Sequence, residues 1–140
     1  MLFRSTVLGF CLLAVFLPLG LTLEALHALK VPVYLEDPLR RELWTLAHAH
    51  GNLLGILCLL IGVNGERLIR EEQRRRIVAR WLAVGAVSMP LGFLLGGVLN
   101  AEGDPSLCIL LVPAGGLALP VALLRAAWGA RASVVEGEGV

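Results

Sequence analysis

Few side chains in this chain are suited to chemistry. Glu24, His27, His48, His50 and Asn52 stand in stretches otherwise dominated by Leu, Ala, Gly and Val. A histidine offers a nitrogen that titrates near neutral pH and ligates metals; a nearby carboxylate can orient the ring or complete a donor set. The densest run spans Trp44 to Gly55 and holds two of the three histidines. On the helix that carries it, His48, Gly51, Asn52, Gly55, Leu59 and Gly62 recur at i, i+3, i+4 and i+7 steps, which puts them on one face. His50 falls about 200° around that helix from His48, so the two cannot chelate one ion from a regular helix.

The elements that must position these groups follow from the charges. Apolar residues make up 57% of the chain and charged ones 16%, against about 25% in soluble proteins. No charge occurs between Arg4 and Glu24, Glu42 and Glu66, Arg80 and Glu102, or Asp104 and Arg125. Each gap is roughly 20 residues, the length a helix needs to cross about 30 Å of hydrocarbon. The expected fold is therefore all-α: a single-domain, polytopic four-transmembrane-helix bundle, with helices at about 5–29, 43–63, 77–99 and 107–128. Residues 64–80 form a basic hairpin, with Glu66/Arg70, Glu71/Arg75 and Glu72/Arg76 spaced for i,i+4 pairs. Residues 129–140 read as a flexible tail.

Nine Lys/Arg residues fall on the side of the N-terminus and the hairpin, against Lys30, Arg40 and Arg41 on the other. The positive-inside rule then places both termini in the cytoplasm of a multi-pass protein of the bacterial inner membrane. Glutamates interleaved with the arginines, and no aromatics among them, argue against nucleic acid as a partner. The expected partners are the lipid bilayer, further copies of the chain in a homo-oligomer, or the other subunits of a larger membrane complex. Cys11, Cys58 and Cys108 are single and widely spaced, so no zinc ribbon or redox pair is indicated. Gly51/Gly55 and Gly92/Gly96 are GxxxG pairs suited to close helix packing, within the chain or between copies.

Ionisable groups at membrane depth mark functional sites by default. At 1.5 Å per residue, Glu24 and His48 come out at similar depths, about 7–8 Å inside the outer boundary. A Glu24–His48 contact is expected, with His27 and Asn52 above and below it. Three readings stay open. One is a structural hydrogen bond pinning two helices. The second is a haem or transition-metal site drawn from His48, His50, His27, Glu24 and Asn52, with His48, Glu24 and His27 as the candidate metal ligands. The third is a proton relay, or a pocket in which a membrane enzyme or carrier handles a small hydrophobic compound. No Walker, GxSxG, HExxH or GxGxxG signature supports soluble-type enzyme chemistry, and no catalytic residue is assigned.

The Ala47–His48–Ala49–His50–Gly51 run resembles the His-x-His helix of haem-copper-oxidase-like membrane families, NnrS-type proteins among them. That resemblance implies a haem-ligating histidine on the second membrane helix. The Ala–His pair with its nearby glycine is also similar to hydroxylaminobenzene-mutase-type small membrane proteins. Over the full length, including Gly92–Gly97 and Gly103–Asp104–Pro105, the chain is similar to an uncharacterised class of small bacterial four-helix membrane proteins, which implies a fold and no activity.

Overall fold

The computed structural model describes residues 2–101 and 103–138, with side chains described over 4–101 and 103–132. The described residues are all-helical: α1 (Leu2–Ala28), a one-turn α2 (Pro32–Leu35), α3 (Pro38–Leu68), α4 (Glu72–Val98), a 3-10 turn (Leu107–Leu110) and α5 (Leu111–Glu138). Four segments are long and apolar enough to cross a membrane: Arg4–Ala28, Pro38–Leu68, Glu72–Val98 and Leu107–Ala132.

The long helices pack as a row. α1 lies on α3, α3 on α4 and α4 on α5, while α1 and α5 do not meet among the described residues. One core threads the row through Leu12 and Phe16, Leu43, Ala47, Leu54 and Cys58, then Leu82, Ala86, Phe93 and Ala122. Large apolar side chains such as Phe10, Leu21, Leu53, Leu117 and Leu124 remain exposed on the outside of the row.

Glycines set how closely the helices approach. The Phe16 ring sits on Gly51, where an added Cβ would fall 2.1 Å from the ring. Gly9 and Gly55 face each other across α1 and α3, and Gly85 and Gly115 hold α4 against α5. Both GxxxG pairs are engaged inside the chain: Gly51 and Gly55 on α1, Gly92 and Gly96 on the α5 side.

Helix limits overrun the uncharged stretches. α3 begins at Pro38 because Asp37 caps it, its Oδ1 accepting from the Arg40 N–H at 2.9 Å, and the proline suits the first helical position. α4 begins at Glu72, so the hairpin is two helix ends joined at Ile69–Glu71, with Ile69 buried. Glu72 pairs with Arg76 as spaced, whereas Glu71 pairs with Arg74 rather than Arg75. Arg75 instead donates to the Ile69 and Arg70 carbonyls, satisfying the end of α3. The expected flexible tail is helical to Glu138: Gly129 does not end the helix but receives Ile69 and the Arg74 stem, and the alanines around it favour helix. Gly139 and Val140 of that tail lie outside the described residues.

At the other end Ala101 and Asp104 exchange backbone hydrogen bonds around Gly103, whose φ is +85°; Glu102 of this turn lies outside the described residues. Ser106 precedes the 3-10 turn without a side-chain cap bond, its hydroxyl donating instead to the Leu95 carbonyl. Pro113 falls in the first turn of α5, where its missing N–H breaks no helical bond, so Pro120 is the interior proline. α1 stops in a Schellman motif. The Val31 N–H bonds the Leu26 carbonyl and the Lys30 N–H the His27 carbonyl, with Lys30 in the left-handed region at φ +51°.

Candidate functional site

His48 projects from α3 across to α1 and lies over Gly20, where a Cβ would stand 2.3 Å from its Cε1. The bare glycine lets the ring reach the α1 backbone, and its Nδ1 sits 2.7 Å from the Phe16 carbonyl oxygen. A carbonyl only accepts, so Nδ1 bears a proton, and when the ring is neutral Nε2 is the nitrogen that keeps its lone pair. Among the described residues Nε2 has no hydrogen-bond partner. Asn52, one turn on, donates its amide to the His48 carbonyl at 2.9 Å and lies 3.4 Å from the Phe16 oxygen. Its nitrogen also lies 3.1 Å from His48 Nδ1, but two donors face each other there and no bond results. The Asn52 Oδ1 is buried without a partner among the described residues.

A groove of about 530 Å³ runs between α1 and α3 beside this ring. Leu17, Pro18, Leu21 and Leu23 give it apolar walls; Glu24, Thr45, His48 and Tyr34 bring its polar groups. Leu17 and Leu21 are exposed, so the groove opens on the outer face of the row. Glu24 is exposed and has no ion pair or hydrogen bond among the described residues.

The expected Glu24–His48 contact does not form. His48 lies ten residues past Pro38, and ten residues back from Ala28 is Pro18, so His48 meets Phe16 and Gly20 rather than Glu24. Counting depth from Leu43 missed the five residues of helix before it. Glu24 and His48 nevertheless line one groove.

The remaining candidates separate. His50 points to the other side, its Nδ1 donating to the Leu46 carbonyl at 2.9 Å and its ring 5.0 Å from Phe93 of α4. His27 stands edge-on to Tyr34 at 6.5 Å between ring centroids. No three His, Cys, Asp or Glu side chains come together as a metal set among the described residues, so His48, Glu24 and His27 are not assembled as three ligands.

The groove is roofed by a feature absent from the sequence reading. α2 turns the buried Tyr34 inward, where it stacks on Trp44 at 6.2 Å, and the Arg40 guanidinium lies 5.8 Å over the far ring. Arg40 donates to the Val33, Gly97 and Asn100 oxygens, and the Asn100 amide donates to Asp37 at 2.6 Å. The Arg40 backbone N–H and then the Asn100 amide hold the Asp37 carboxyl below the usual carboxylate range. This network ties α2, α3 and the end of α4 together. Its one sequence signal was Pro32, a first-turn proline that starts α2.

No family model, curated protein or solved structure matches the chain.

Proposed function

We propose that this chain is a multi-pass protein of the bacterial inner membrane, with both termini and the arginine-rich hairpin in the cytoplasm, that holds a small lipophilic molecule in the α1–α3 groove. One observation carries the reading. The Phe16 carbonyl fixes the His48 proton on Nδ1, which leaves Nε2 as a hydrogen-bond acceptor at a groove with apolar walls and Glu24 nearby. Such a site selects a molecule whose apolar body lies against Leu17 and Leu21 and whose polar head donates, such as a hydroxyl. The role is binding or carriage, alone or within a larger complex; among the described residues the groove hydroxyl of Thr45 donates to the Arg41 carbonyl and is not paired with His48 or Glu24 as a base.

A second reading is favoured by the same bond. A ring whose Nδ1–H donates to a backbone carbonyl is oriented as metal-bound histidines usually are, so Nε2 could serve as a single axial ligand to haem.

The test titrates a long-chain 4-alkylphenol, and separately its methyl ether, into the protein in nanodiscs. Tryptophan emission is the readout, because Trp44 stacks on the groove residue Tyr34. Saturable change with the phenol only, lost in His48→Ala, is the expected result. Equal responses to phenol and ether, or unchanged binding by His48→Ala, overturns the reading. A Soret band in the purified wild type that disappears in His48→Ala replaces it with the haem reading.

A further inference from the structure

At the opposite end of the row from the histidine groove, a second recess of about 600 Å³ opens between the start of α4 and the middle of α5. Its polar lining is Arg74, Arg125, Gln73 and Glu71, and its apolar lining is Ile77, Leu124 and Trp128. The two arginines are held differently. Arg74 packs its stem over Gly129 and gives Nε and Nη2 to Glu71 at 3.1 and 3.0 Å, which fixes its direction and leaves other guanidinium hydrogens unused. Arg125 is exposed, with no ion pair or hydrogen bond among the described residues. One carboxylate thus faces two guanidiniums, and the recess keeps a positive surplus.

The apolar part is directional. Leu117, Leu124 and Trp128 follow at i, i+7 and i+11, share one face of α5, and are each at least 70% exposed. That stripe runs from the recess toward the middle of the span. Trp128, at the level of Arg125, has the amphipathic ring found at membrane interfaces.

We propose that this recess is a binding site for an anionic phospholipid, its phosphodiester head between Arg74 and Arg125 and one acyl chain along Trp128, Leu124 and Leu117. The site rests on the membrane reading but not on any ligand of the histidine groove. A free phosphate would satisfy the arginines and leave the exposed apolar stripe unused. A zwitterionic lipid would bring a cationic head into a surface that is already positive, with Arg70, Arg75, Arg76 and Arg80 all nearby in the chain. The single carboxylate, Glu71, is already engaged by Arg74 and does not close the site to an anion.

The experiment is lipid titration followed by native mass spectrometry of detergent-solubilised protein, with phosphatidylglycerol, phosphatidylcholine and inorganic phosphate as separate probes. Phosphatidylglycerol is expected to bind about tenfold tighter than phosphatidylcholine, and Arg125→Gln to remove about fivefold of that preference. Arg125 is exposed and has no hydrogen bond or ion pair to lose among the described residues, so its variant tests binding rather than stability. Arg67→Gln, which removes the same charge from a different recess at this end, is expected to leave the preference unchanged. A wild-type preference below twofold overturns the proposal. So does an equal loss in Arg67→Gln, which would mean diffuse surface charge, or inorganic phosphate displacing the lipid at micromolar concentration, which would mean a plain anion site.

Discussion

Gly20→Ala tests the packing of His48 on α1 directly. The added Cβ would stand 2.3, 2.7 and 2.9 Å from Cε1, Nδ1 and Nε2 of the ring, where ordinary contact begins near 3.4 Å. The ring must therefore move by about 1 Å, and the 2.7 Å bond to the Phe16 carbonyl cannot survive that shift. Overpacking of this kind costs about 1–3 kcal/mol, and a hydrogen bond between membrane helices is worth about 0.6 kcal/mol on average and up to about 1.7. The expected loss is about 2–4 kcal/mol, at least a thirtyfold change in the folding equilibrium. The assay is reversible unfolding in mixed micelles, run as a double-mutant cycle with His48→Ala. Without the ring, Gly20→Ala is expected to cost under about 0.5 kcal/mol, since alanine favours helix over glycine. An equal cost in both backgrounds, or none in the wild type, refutes the packing of His48 on Gly20.

Lys30→Gly should stabilise the protein by about 1 kcal/mol, because φ +51° strains a side-chain-bearing residue and not glycine; the same unfolding assay reads it. His50→Leu should change stability by under about 1.5 kcal/mol and leave alkylphenol binding intact, since that ring meets Phe93 away from the groove. The Asp37 carboxyl is held below its ordinary 3.8, so its contribution is complete above that pH and is lost as pH falls through the lowered value. Unfolding profiles should therefore lose stability in acid, and Asp37→Ala should be less stable at neutral pH with a shallower acid decline. Asn100→Ala should loosen the same network, seen as faster amide exchange at the start of α3.

Charge spacing made the four long apolar helices legible, because hydrocarbon admits few ionised groups. The same spacing mislocated helix ends, since it marks where charge resumes and not where hydrogen bonding stops. Asp37–Pro38 is itself a helix-start pattern, and counting from Pro38 would have set His48 level with Phe16 and Gly20. The site residues His48 and Asn52 were legible from their face of small and polar neighbours, and that face does meet another helix. The partner was not legible: it is a backbone oxygen, exposed to the ring because residue 20 lacks a side chain. The Arg40–Asn100–Asp37 network was missed because it joins residues some 60 positions apart, and Tyr34 because α2, which positions it, is a single turn of four residues. Gly129 looked like a helix stop because packing against Ile69 and Arg74 leaves no trace in local sequence.

The most direct measurement of the central claim is the 15N spectrum of the protein, histidine ring-labelled, in lipid at neutral pH, with His48 assigned by difference from His48→Ala. The account requires a neutral His48 ring with its proton on Nδ1 and an unprotonated Nε2, and that pattern lost in Gly20→Ala. A ring protonated on Nε2, or one exchanging freely between tautomers, would contradict the bond to Phe16 and with it the acceptor site in the groove.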